Sequence, residues 1–253
     1  MTRILATLLL AALALAPTRA AVSATTGQRV SFADINLSDT QNLTYAVTVT
    51  LTATPTVQRQ TLMGQWNAGS AGDPAWVLMT DQTGDVDDLW AAVGCNNGVT
   101  FVSTFTDGVN LTNGGTYRIV VRASTFFQSS AALDVWVNGA KPTQAQNQTC
   151  GLAGPITNSA QALMVGDAGD SSGAAVQGVY SDFAVWNEKV PDWVAAAYGK
   201  GMSPQFYRTA NGLLHAPLLN TSALRDVWHG LAGTNTSTTT AAHPSMYRPT
   251  GGQ

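Results

Sequence analysis

The stretch GVYSDFAVWNEKVPDWVAAAYGKG, residues 178–201, changes its hydrophobic period part-way along. Its first part alternates side chains with a period of two, which is typical of a β-strand. This alternation predicts that Val179, Phe183 and Val185 share one face of the strand. The first part is therefore predicted to be one strand of a sheet.

The second part of the stretch follows a helical period. Val194 and Tyr198 lie four residues apart, as do Trp193 and Ala197, so both pairs are expected to bury together. Gly201 suits the left-handed position that ends many helices. A helix of roughly two to three turns is marginal by itself, so we expect it to pack against a sheet.

The rest of the chain repeats the strand pattern. Turn sequences such as Asn96-Asn97-Gly98 and Asn138-Gly139 recur at intervals of about ten residues. This spacing favours an all-β sandwich over an α/β fold. The further predicted strands are 45–52, 89–93, 99–105, 117–122, 133–137 and 162–166.

Three segments together resemble the C-terminal part of laminin-G-like domains, in the concanavalin A-like lectin/glucanase superfamily. They are LDVWVNG (133–139), ALMVGDAG (162–169) and the stretch 178–201. The resemblance implies an all-β jelly-roll sandwich of two antiparallel sheets with one short helix near the C-terminal third. It also implies a single domain over residues 25–253.

The closing section extends this resemblance to variants found in bacteriophage particle proteins. The stretch 178–201 also departs from the family: Pro191 stands where a capping Ser or Thr is usual, and Val194 where an acidic residue is usual. The closing segments are SPQFYR (203–208), LLHAPLLN (213–220), RDVWHG (225–230) and AAHP (241–244).

The N-terminus has the pattern of a secretory signal peptide over residues 1–20. Arg3 precedes an apolar run over residues 4–16, and cleavage after Ala20 or Ala24 fits the small residues that follow. An uncleaved anchor or a misassigned start are the alternatives. No second apolar run reaches spanning length, so we expect no membrane span in the mature chain.

Charge and cysteine usage limit the partners. The net charge is −3 and no cluster of Lys or Arg occurs, which argues against nucleic-acid binding. In an exported protein Cys95 and Cys150 are free to form a disulfide, with two separate buried thiols as the alternative.

An acidic cluster is a candidate metal site. Asp85, Asp87 and Asp88 lie together in the sequence and are either a solvated loop or oxygen ligands for Ca²⁺. Asp167 and Asp170 present the same two alternatives.

The seven tryptophans raise the question of sugar binding, because a sugar ring stacks on an exposed aromatic face. Trp66 and Trp76 flank the loop 67–74 and are the candidate ligand-binding residues. Packing roles are expected for Trp90, Trp136, Trp186 and Trp193.

Glycoside hydrolysis needs a pair of carboxyl groups, and this chain has a single Glu, Glu188. His215, His229 and His243 match no catalytic motif, and Asp226 is expected to form a turn. We therefore predict a non-catalytic surface module that requires no cofactor.

Two functions of different class remain for such a module. A virion structural or decoration protein follows from the closing section, and an exported carbohydrate-binding or adhesion protein follows from the signal peptide. A glycoside hydrolase is a third and weaker alternative. The expected partners are virion proteins, cell-surface proteins or glycans, the expected location is the virion surface or outside the cell, and an oligomer is compatible with each.

Overall fold

A computed structural model describes residues 20–25, 27–37, 41–66, 75–81, 85–95, 100–124, 133–148, 156, 161–166, 175–218 and 224–242. The predicted leader up to residue 19, the loop 67–74 and His243 lie outside these ranges. So do Cys150, Asp167 and Asp170, and the disulfide therefore stays a prediction.

Antiparallel strands dominate the described chain and form two sheets. In chain order they are β1 (Ala20–Ala24), β2 (Arg29–Phe32), β3 (Asn42–Leu51), β4 (Thr61–Gln65), β5 (Trp76–Thr80), β6 (Leu89–Cys95), β7 (Thr100–Asp107), β8 (Thr116–Ser124), β9 (Leu133–Val137), β10 (Thr143–Gln148), β11 (Leu163–Gly166), β12 (Gly178–Trp186), β13 (Gly212–Ala216), β14 (Thr234–Thr236) and β15 (Thr239–Ala242). The smaller sheet has the order β15-β1-β12-β3-β8-β9, with β13 also paired to β12. The larger sheet has the order β10-β7-β6-β5-β4-β11-β2-β14. The predicted all-β jelly-roll sandwich is confirmed.

The core lies between the two sheets, as the alternation predicts. In β3, Tyr45, Val47 and Val49 point into it, while Ala46 points outward. The ring of Tyr45 stacks on that of Trp76 in the opposite sheet, with 4.4 Å between centroids. Burying a side chain of this kind contributes roughly 1.5–3 kcal/mol, so the inward-facing residues stabilise the sandwich most.

A β-bulge changes the alternation within β12. The register with β3 shifts around Asp182, whose φ is +48°. The bulge places Tyr180 in the core together with Phe183 and Val185, while Val179 is only half-buried. The predicted grouping of Val179 with Phe183 is therefore wrong, because the extra residue reverses the faces on one side of the bulge.

The predicted short helix is α1 (Asp192–Gly199), and it covers the outer face of the smaller sheet. Val194 and Tyr198 are buried together there, as predicted. The Tyr198 hydroxyl donates to the carbonyl of Asp182 at 2.9 Å and so ties the helix to the bulge. Gly201 follows the helix with φ +97°, which confirms the predicted glycine stop.

The end of α1 lies against the turn between β9 and β10. A Cβ placed on Gly199 would come within 1.8 Å of the backbone nitrogen of Gly139. Gly139 itself has φ +82°. Two of the segments that carry the family resemblance therefore meet backbone to backbone at this point.

At each of the two open sides of the sandwich, the chain passes from one sheet to the other between consecutive strands. At one side β9 is the edge of the smaller sheet and β10 the edge of the larger, and β15 and β14 form the same arrangement at the other side. Strand β1 pairs with both β12 and β15, so that Ala20 lies opposite Ala242. Strand β1 is thus part of the smaller sheet, although it precedes the predicted domain start at residue 25.

Candidate functional site

The outer face of the larger sheet carries an aromatic cluster that the main core does not include. Trp90 projects from β6, Phe101 and Phe105 project from β7, and Trp66 directly follows β4. We call these four residues the aromatic face. Val77, Met79 and Ala92 form the apolar floor between them.

The rings of the aromatic face meet edge to face. Trp66 lies 6.3 Å from Trp90 and 6.0 Å from Phe101, and Trp90 lies 6.0 Å from Phe101, measured between centroids. The three interplanar angles lie between 77° and 87°. Contacts of this kind contribute about 0.5–1.5 kcal/mol each beyond their burial, so the cluster holds its shape. Phe101 and Phe105 are its partly exposed members.

Among the residues that the structure describes, buried polar groups near the aromatic rings have no hydrogen-bond partner. They are the indole Nε1–H of Trp90 and the hydroxyl of Ser103. In the β6–β7 pairing Trp90 lies opposite Phe105 and Ser103 lies opposite Ala92, which places both groups on the outer face. A buried group without a partner costs about 1–3 kcal/mol. Both atoms are closed to solvent here, so a ligand on this face would reach them only after neighbouring side chains move aside.

The structure separates the two predicted ligand-binding tryptophans. Trp66 belongs to the aromatic face, where 8% of its surface is exposed. Trp76 points to the other side of the larger sheet and is fully buried between Tyr45 and Phe183. The ring of Trp76 is therefore closed to a sugar, and only Trp66 remains a candidate.

The predicted calcium ligands do not come together. Asp88 is buried, and its carboxylate accepts hydrogen bonds from the backbone N–H of Val109 at 2.7 Å and of Gly108 at 3.3 Å. Burial raises the pKa of Asp88 even though these N–H groups favour its charged form. Asp85 is exposed, and within the residues that the structure describes no group of three or more His, Cys, Asp or Glu side chains could hold a metal ion. Asp88 thus organises the loop after β7, and calcium binding stays a prediction.

The late histidines and aspartates serve the fold. The Asp226 carboxylate accepts from the backbone N–H groups of His215, Trp228 and His229 at 2.8–3.0 Å, which confirms its predicted turn role. His215 is fully buried beside Asp182, with 3.6 Å between Nε2 and Oδ1. A substrate does not reach this pair from solvent.

One predicted packing residue is instead exposed. Trp193 is 60% exposed, and its ring lies 5.6 Å from that of Tyr207 at 83°. Helical geometry explains the difference: Val194 and Tyr198 face the sheet, and Trp193 lies about 100° around the helix from Val194 and about 140° from Tyr198. Trp193 therefore falls outside the strip of the helix that the sheet covers, and its four-residue spacing from Ala197 does not by itself show that both are buried.

Two solved structures share the fold of this chain. A candidate carbohydrate binding protein from Bacteroides ovatus superposes with a TM-score of 0.66 at 16% identity, over 91% of this chain and 62% of that one. The heptameric SAP-like pentraxin from Limulus polyphemus superposes with a TM-score of 0.54 at 12% identity, over 74% of this chain and 84% of that one. This chain therefore spans about three fifths of the Bacteroides protein. No family model and no curated protein sequence matches it.

At these identities the likeness shows the fold alone, a sandwich of two antiparallel sheets. The predicted concanavalin A-like superfamily stays a prediction. The narrower laminin-G-like assignment stays a prediction. So does the virion role, because neither of these two structures is described as a virion protein.

Proposed function

We propose that this chain is a carbohydrate-binding module and that the aromatic face binds the glycan. The observation that carries the proposal is an outward-facing aromatic cluster, with Phe101 and Phe105 partly exposed, that also holds two polar groups without a partner among the described residues, Trp90 Nε1–H and the Ser103 hydroxyl. The C–H groups of a pyranose pack against aromatic rings, and its hydroxyls both donate and accept hydrogen bonds. A glycan therefore supplies what this face lacks.

The fold and the surface support a binding role in preference to other classes. The B. ovatus protein with the same fold is itself named for carbohydrate binding. The larger sheet presents its aromatic face on the side away from α1, which covers the other sheet. We place the module outside the cell, in agreement with the predicted leader. Within the described ranges no helix is long and apolar enough to cross a membrane.

A binding assay on variants that each remove one hydrogen-bonding group tests the proposal. The full chain is screened on a glycan array with and without Ca²⁺, and the best ligand is titrated by calorimetry. Trp90→Phe removes the indole N–H and Ser103→Ala removes the hydroxyl. Each is expected to weaken binding about 3- to 10-fold, the value of one hydrogen bond.

Trp76→Phe is the matched control for Trp90→Phe. Its Nε1 is also buried without a partner, but the ring lies in the core, so the variant makes the same chemical change away from the face. We expect its affinity to equal that of the unmodified chain. Equal affinities for Trp90→Phe, Ser103→Ala and the control, in folded protein, would contradict a site on the aromatic face.

A further inference from the structure

A second aromatic surface lies on the opposite side of the sandwich, over the smaller sheet. It combines Trp193 of α1 with Tyr207, the last residue of a 3₁₀ helix (Pro204–Tyr207). Phe206, beside Tyr207 in the chain, is 57% exposed. We call Trp193, Phe206 and Tyr207 the aromatic ledge. Contiguous apolar patches mark contact sites, whereas single exposed side chains do not, and here the rings of Trp193 and Tyr207 touch across adjacent short helices.

Contacts with the buried residues beneath it hold the aromatic ledge in one conformation. The carbonyl of Tyr207 accepts a hydrogen bond from Trp186 Nε1 at 3.1 Å, and Trp186 is buried under α1. The side chain of Tyr207 packs partly against the same buried cluster. The Ser203 hydroxyl accepts from the N–H of Gln205 and caps the 3₁₀ helix. A surface already ordered in this way loses little conformational entropy when it binds.

Polar groups border the ledge beside Tyr207. The Glu188 carboxylate accepts from the Thr209 hydroxyl at 2.6 Å and from the Asn211 amide at 3.4 Å. Thr209 follows Tyr207 by two residues, so the bond between Glu188 and Thr209 lies at this border. Partial burial and the charge of Glu188 both raise the pKa of the Tyr207 phenol. The border thus offers donors and acceptors next to an apolar surface.

We propose that the aromatic ledge is a second glycan-binding site, which takes one pyranose unit of a neutral sugar. The two rings are almost perpendicular, so they form a corner for one sugar ring and not a flat platform for several. Glu188, Thr209 and Asn211 exchange hydrogen bonds with its hydroxyls. The negative charge of Glu188 disfavours uronic and other acidic sugars.

This site goes beyond the proposed function, because it stands on a different sheet from the aromatic face. A chain with binding surfaces on opposite sheets is bivalent. It bridges two glycan chains, and on a dense glycan surface the two sites bind more tightly together than either does alone.

Calorimetric titration of the full chain tests the ledge directly. Cellohexaose and chitohexaose serve as neutral probes and trigalacturonic acid as the acidic one. We expect Trp193→Ala to weaken neutral binding at the ledge at least about tenfold, as for other central aromatic contacts, and to leave one site per chain. Val57→Ala, which also removes an exposed apolar side chain, is the control and is expected to change nothing. Glu188→Gln is expected to raise the affinity of the ledge for trigalacturonic acid.

Each outcome of this titration assigns or removes a site. Loss of one site in Trp193→Ala, with the other lost in Trp90→Phe, supports both proposals. A Trp193→Ala protein that binds like the unmodified chain overturns the ledge and leaves the aromatic face untouched. If Trp193→Ala weakens sugar binding and Trp90→Phe does not, the result supports the aromatic ledge and overturns the aromatic face as a glycan site. A change in sedimentation coefficient with unchanged sugar binding makes the ledge a contact between copies of the chain and overturns its role in sugar binding.

Discussion

Arg122 joins the helix to the sheet at a single buried side chain. Its guanidinium donates to both oxygens of Asp134, at 2.8 and 2.9 Å, and to the carbonyl of Val190 and the carboxylate of Asp192 at 2.8 and 2.7 Å. Pro191 provides no side-chain cap for α1. A guanidinium has no acceptor for the first N–H groups of the helix, so Arg122 is not a cap, but its bonds to Val190 and Asp192 anchor the start of α1 to the sheet.

Replacing Arg122 should destabilise the fold strongly. In Arg122→Ala the buried Asp134 loses its bidentate partner, and we expect a loss of about 3 kcal/mol in the free energy of unfolding, measured by urea denaturation. Asp192→Ala removes the exposed end of the same network, where the side chain is 78% exposed, and should cost less than about 1 kcal/mol. Equal losses of unfolding free energy in Arg122→Ala and Asp192→Ala would show that burial of the Arg122–Asp134 pair does not determine how much this network stabilises the fold.

Acid should weaken the fold through Asp134. Burial acts to raise its pKa, but the hydrogen bonds and charge of Arg122, with Lys189 and Lys141, outweigh burial and lower it. Because the folded-state pKa lies below the unfolded value of about 3.9, the stabilisation is present above that value and is lost as pH falls through the folded pKa. We expect the urea concentration at the midpoint of unfolding to decrease as the pH drops below about 4. In Asp134→Asn this decrease should be smaller. A midpoint with the same acid dependence in both proteins would refute this.

Residue-level prediction from the sequence succeeded where one local rule decided the outcome. Asp226 and Gly201 were predicted correctly, because a turn carboxylate and a left-handed glycine act on adjacent backbone. The sequence did not show that Trp66 and Trp76 lie on opposite faces of the larger sheet, because the face of each depends on how β4 pairs with β5. The register shifts within that pair.

At the scale of elements, the contact between Gly139 and Gly199 positions α1 on the sandwich. Sequence patterns predicted the turn and the helix end separately, and nothing in either pattern showed that they meet. Only the three-dimensional path of β9 and α1 brings them together. The bulge at Asp182 was missed for a similar reason, because an alternating pattern contains no signal for an extra residue.

A methyl group at this contact tests its importance. Gly199→Ala places a Cβ 1.8 Å from backbone nitrogen, which no side-chain rotation relieves, so the helix end has to move. We expect destabilisation of about 1–3 kcal/mol by thermal or urea unfolding. Lys200→Ala, exposed and adjacent, is the control and should stay within about 0.5 kcal/mol of the unmodified chain. A Gly199→Ala protein as stable as this control would mean that the helix end is free to shift.

At the scale of the whole molecule, the sequence predicted the two-sheet sandwich because ten-residue turn spacing and period-two alternation leave few other folds. It did not predict the sites. An aromatic residue at an outward-facing position looks the same in sequence whether it packs within a cluster, as Trp90 on β6 does, or stands in solvent, as Trp193 on α1 does. That difference arises from tertiary packing.

The pairing of β1 with β15 also determines how the module responds to tension. Ala20 and Ala242 lie side by side at one end of an antiparallel ladder. A pull applied through these two residues acts first on the hydrogen bonds nearest to them and then on the next along the ladder. The ladder opens by unzipping, one bond after another, and not by shear of all its bonds at once. A chain pulled at Ala20 and Ala242 would therefore yield first at β15, the edge strand of the smaller sheet.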